Sequence, residues 1–69
     1  MRVKHFSLTL SEEEEKKLTE LASKLNKSKA DILREALKLY AILKYAEGNG
    51  KEIILRDTRT GELEKLVLP

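Results

Sequence analysis

Three alternating residues near the start of the chain, His5, Ser7 and Thr9, carry side chains suited to recognising a partner. An imidazole and two hydroxyls offer hydrogen-bond donors and acceptors together. A second polar group is Lys27-Ser28-Lys29, two ammonium groups on either side of a hydroxyl. Neither group has the makings of catalysis. His5 is the only histidine and the chain has no cysteine, so a zinc site built from one chain and a cysteine nucleophile are both set aside. No orienting partner for His5 stands out, and no glycine-rich phosphate loop is present. The chain reads as a non-enzyme that needs no cofactor and no metal.

The elements that must position these residues follow from the pattern around them. From Lys4 to Leu10 polar and apolar residues alternate, which puts His5, Ser7 and Thr9 on one face of a strand and Phe6, Leu8 and Leu10 on the other. Ser11 with Glu14 makes a capping box, and Glu12 to Glu15 crowd the first turn, where the helix dipole favours negative charge. Leu18, Leu21, Ala22 and Leu25 continue at helical spacing, predicting a first helix over 12–25 that Asn26 stops in the left-handed conformation. Ser28 caps a second helix, predicted from Lys29 to about Ala46, with Asp31 at its third position. Glu47-Gly-Asn-Gly50 breaks that helix. Two β-like runs follow, Lys51–Asp57 and Glu62–Leu68, joined by a type I turn with Gly61 left-handed. With Thr58 opposite Glu62, Arg56 would face Glu64 across the hairpin. The division expected is 1–46 for the strand and two helices, and 47–69 for the hairpin.

Sixty-nine residues form one small core at best, and there is no cysteine to staple it. A strand at residues 4–10 has no neighbouring strand in the sequence, and a lone strand leaves its backbone groups unpaired on both sides. A second copy of the same strand repairs this. The second helix points the same way. Its apolar residues, including Leu33, Ala36, Leu37 and Tyr40, cover more than one stripe, as on a helix buried on more than one side. Both features call for a homodimer, with Phe6, Leu8, Leu10, Leu33, Ala36, Leu37 and Tyr40 in its core.

The net charge is +2, but its distribution is more informative. Residues 1–10 hold Arg2 and Lys4 and no acid, and residues 28–46 hold four bases against two acids. A dimer doubles this local surplus, which is what a polyanion senses.

Strand, helix, short turn, helix, in a symmetric dimer, resembles the ribbon-helix-helix DNA-binding proteins of the Arc, MetJ and CopG type. The resemblance is carried by Lys4-His-Phe-Ser-Leu-Thr-Leu-Ser11, Leu18-Thr-Glu-Leu-Ala22, Asn26-Lys-Ser-Lys29, Ile32-Leu-Arg-Glu-Ala-Leu37 and Tyr40. It implies an α+β fold, an intertwined homodimer whose paired strands form a two-stranded antiparallel ribbon, here with a C-terminal β-hairpin added. It implies that His5, Ser7 and Thr9 reach base edges in the DNA major groove, which a β-ribbon fits. It also implies a phosphate held at the start of the second helix by Lys27, Ser28 and Lys29, with Arg2 and Lys4 adding contacts from the arm.

The function expected is that of a sequence-specific repressor acting on an inverted-repeat operator, with dimers able to associate further on DNA. The alternative is an interaction module, either an antitoxin whose tail binds a toxin or a dimeric, even engineered, scaffold with little DNA binding. No apolar run approaches the roughly 20 residues of a membrane span, and the N-terminus lacks a signal peptide's apolar stretch. A cytoplasmic location is expected.

Overall fold

The computed structural model describes residues 3–69. Arg2, expected to touch phosphate, lies outside them. The element order is α1 (Glu12–Leu25), α2 (Lys29–Gly48), β1 (Ile53–Arg56) and β2 (Leu63–Leu66). Two helices and one two-stranded antiparallel sheet make this an α+β chain. By contact it divides into two compact units, Met1–Leu33 and Arg34–Pro69.

In the first unit, residues 3–10 take no regular secondary structure. A strand is defined by its neighbour, and the described residues supply none here. The capping box at α1 is complete. Ser11 Oγ accepts from the Glu14 N–H at 3.2 Å, and the Glu14 carboxylate accepts from the Ser11 N–H at 2.9 Å. That bond from the Ser11 backbone is the main reason the Glu14 carboxyl lies below its ordinary pKa. Asn26 ends the helix at φ 53°. Its N–H donates to the Ser23 carbonyl and the Lys27 N–H to the Ala22 carbonyl, two bonds that close the last turn around a left-handed residue. Ser28 then caps α2, its hydroxyl accepting from the Asp31 N–H at 3.1 Å. Leu18 and Ile32 are the buried residues of this unit, and also the whole of the buried set among the described residues.

In the second unit, α2 runs two residues beyond the expected Ala46, to Gly48. The residue that terminates it is Gly50, at φ 77°. Gly50 N–H donates to Glu47 and Lys51 N–H to Ala46, so the left-handed step falls two residues after the first glycine of the break.

The hairpin forms over shorter strands than the apolar runs, and its register differs by one from the expected pairing. Arg56 faces Leu63, and Leu55 faces Glu64. The cause is Asp57. Its carboxylate accepts from the Arg59 N–H at 2.8 Å and the Thr60 N–H at 3.2 Å, an Asx turn that draws the loop in one residue early. The Asp57 N–H therefore donates to Glu62, and Gly61, left-handed at φ 79°, donates back to Asp57. The Arg56–Glu64 pair does not form. Lys65 instead lies 3.8 Å from Glu52. Ile53, Leu66 and Leu68 are half-buried, and the Tyr40 hydroxyl donates to the Pro69 backbone oxygen at 3.0 Å. The Lys44 ammonium lies 5.6 Å from the centre of the Tyr40 ring, a cation–π distance.

Two tests follow from these helix ends. Asn26→Val places a β-branched residue in the left-handed region and is expected to cost about 1–2 kcal/mol, whereas Asn26→Gly keeps or raises stability. Denaturant unfolding of both variants measures the difference. The Glu14 and Glu15 carboxyls both lie below their ordinary pKa. The stability they add is present above the ordinary carboxylate range and is lost as pH falls from that range through the lowered values. Helicity followed by circular dichroism on acidification should drop in that range, less steeply in the Glu14→Gln, Glu15→Gln double variant.

Candidate nucleic-acid interface

His5, Ser7 and Thr9 all lie exposed in the unpaired 3–10 segment. Their alternation with Phe6 and Leu8 persists in the sequence, yet in a single chain both sets face solvent: Phe6 is 87% exposed. Leu10 alone among them is half-buried. Lys4 is exposed as well. The described residues therefore hold the three polar side chains in alternating order but supply no surface to turn one face of the segment inward.

The start of α2 is better defined. Ser28 accepts the Ile32 N–H through its carbonyl at 3.1 Å and the Asp31 N–H through its hydroxyl. The first turn of a helix leaves backbone N–H groups aimed outward, and the dipole makes that end attractive to an anion. Lys27, Ser28 and Lys29 are exposed around it.

The structure adds one residue that the sequence reading did not associate with this place. The Lys29 ammonium lies 2.5 Å from the Glu15 carboxylate, which also accepts from the Thr19 hydroxyl at 3.5 Å. The hydrogen bond from Lys29 is the largest reason, and its charge the next, that the Glu15 carboxyl lies below its ordinary pKa. Both side chains are about half exposed, so the pair remains open to exchange with a stronger anion. The sequence contained a signal for it in the run Glu12 to Glu15, whose evident use was the dipole of α1. A separation of 14 residues hides the pairing from any local rule.

The residues expected in a dimer core along α2, Leu33, Ala36, Leu37 and Tyr40, are all exposed in one chain, Leu37 at 69%. Among the described residues no helix is long and apolar enough to cross a membrane.

Comparison with known proteins returns one family. The profile of the ribbon-helix-helix protein, copG family, matches residues 4–44, the stretch that holds the unpaired segment, α1 and most of α2. Neither the curated proteins nor the solved structures include a significant match. Members of this family are in general DNA-binding transcription regulators, non-enzymatic, that bind DNA as dimers. With more than half its length covered by that profile, the chain belongs to the copG family of ribbon-helix-helix proteins.

Proposed function

We propose that this chain is a sequence-specific repressor that folds and binds DNA as a homodimer in the cytoplasm. Residues 4–10 of two copies pair as an antiparallel ribbon, with Phe6, Leu8 and Leu10 turned onto the helices. Leu33, Ala36, Leu37 and Tyr40 complete the shared core. His5, Ser7 and Thr9 then face outward into the major groove, where their donors and acceptors read base edges. Lys27, Ser28 and Lys29 hold a phosphate at the start of α2, and Lys4 and Arg2 add contacts from the arm. Residues 1–46 form the DNA-binding part and 47–69 an added hairpin.

The observation that carries this reading is the exposure of the apolar set. Among the described residues a single chain buries Leu18 and Ile32 and leaves Phe6, Leu8, Leu37 and Ile42 in water. Exposed apolar area of that extent favours burial at roughly 25 cal/mol per Å². The unpaired 3–10 segment supplies the backbone donors and acceptors that a ribbon consumes.

Selection of bound duplexes from a random pool tests the function. An enriched inverted repeat is expected. In the Ser7→Ala, Thr9→Ala variant the enrichment should flatten while the dimer mass is unchanged; loss of the dimer would contradict the outward placement of these side chains.

The Glu15–Lys29 pair gives a separate expectation. Lys29→Ala should weaken binding to all sequences alike and reduce the salt slope by about 0.9 for each phosphate it no longer neutralises. Glu15→Gln removes a competing anion and should strengthen binding to specific and random DNA equally. A changed base preference in either variant would place Lys29 on the bases instead.

A further inference from the structure

The C-terminal hairpin is a two-stranded sheet, so β1 has β2 on one side and an open edge on the other. The bond from the Asp57 N–H to the Glu62 carbonyl fixes which residues face which way. Backbone direction alternates along an antiparallel strand. Ile53, Leu55 and Asp57 therefore turn their N–H and C=O groups toward β2, and Glu52, Ile54 and Arg56 turn theirs to the open edge. The same three side chains share one face of the sheet with Lys65, the residue opposite Ile54. Ile54 is 45% exposed. Natural edges are commonly protected by charge, and this one carries charge in an unusual order.

Along the edge the sequence is Lys51-Glu-Ile-Ile-Leu-Arg-Asp57. About Ile54 it is apolar on both sides and opposite in charge at each matched position. We propose that β1 pairs edge to edge with β1 of a second copy of this chain, antiparallel about a two-fold axis at Ile54, joining two hairpins into one four-stranded sheet. Glu52 then stands opposite the partner's Arg56, and Lys51 opposite the partner's Asp57, each pair occurring twice. Ile53 meets the partner's Leu55, and Ile54 meets its own counterpart.

Symmetry leaves few competing registers. A two-fold axis that continues a sheet runs perpendicular to it, so each residue meets one from the same face, and one residue must sit on the axis. Centring on Ile53 sets Glu52 against Ile54 and Lys51 against Leu55. Centring on Leu55 sets Arg56 against Ile54 and Asp57 against Ile53. Pairing through β2 about Glu64 or Lys65 puts like charges directly opposite each other, which is unfavourable. The register on Ile54 matches every position. The existing contact of Glu52 with Lys65, at 3.8 Å between exposed side chains, is weak enough to be shared. This inference stands on the hairpin alone and does not depend on DNA binding.

The chain has no cysteine, so one introduced thiol can bridge only to its own copy. Opposed residues in such a pair have Cα atoms about 5.5 Å apart, within the range of about 4.4–6.8 Å that a disulfide spans. In the full-length chain, Ile54→Cys should form a disulfide-linked dimer on mild oxidation. Leu55→Cys, whose counterpart lies two residues out of register, should cross-link at least about ten-fold more slowly, since linkage at that spacing falls outside disulfide reach. In the Ile54→Cys background, Glu52→Arg creates two like-charge pairs and should slow cross-linking by about ten-fold. Adding Arg56→Glu should restore the rate. Equal rates for the cysteines at 54 and 55, or a charge-swapped chain no faster than Glu52→Arg alone, would overturn the proposal.

Discussion

The structure depends on a shortage: one chain does not contain enough neighbours for its own apolar side chains or for the backbone of residues 3–10. Leu18 and Ile32 are the buried residues among those described, and two side chains do not make a core. The polar groups of the 3–10 backbone need partners, and the described residues form no strand beside them. Most of both deficits falls within residues 4–44, the stretch matched by the family profile, and one event, association with a second copy, would answer that part of both. Folding and assembly would then be one transition, with stability that rises with concentration.

Local chemistry at the ends of elements does the rest. Ser11 with Glu14, Asn26, Ser28 and Gly50 each satisfy backbone groups that a helix leaves open, and together they mark where α1 and α2 begin and end through local bonds. That locality would suit a chain that shares its core with a second copy, as proposed. Glu15 and Lys29 add a tie within the first unit that also sets the charge beside the start of α2. If the start of α2 holds a phosphate, a carboxylate beside it lowers affinity for every sequence alike and leaves the choice of site to the base contacts.

These local devices were legible in the sequence because each is decided within four or five residues. The capping box, the left-handed Asn26, the Ser28 cap and the left-handed Gly61 all stand where the residue types place them. The family, too, was legible from spacing and alternation. The hairpin register was not, because it turned on whether Asp57 spends its carboxylate on the loop or leaves the strand to run one residue further. The Glu15–Lys29 and Tyr40–Pro69 contacts join residues far apart in sequence and follow from the path of the chain, which no local pattern encodes. The roles expected of His5, Ser7 and Thr9 depend on a surface that the described residues of a single chain do not supply.

The pairing of residues 4–10 between copies is the central claim, and isotope-filtered nuclear Overhauser measurements on a mixture of labelled and unlabelled chains test it directly. The account expects interchain backbone contacts confined to an antiparallel register within residues 4–10, with Phe6 and Leu8 side chains against helix protons. A dimer without such contacts, or a monomer at the concentrations used, would contradict it.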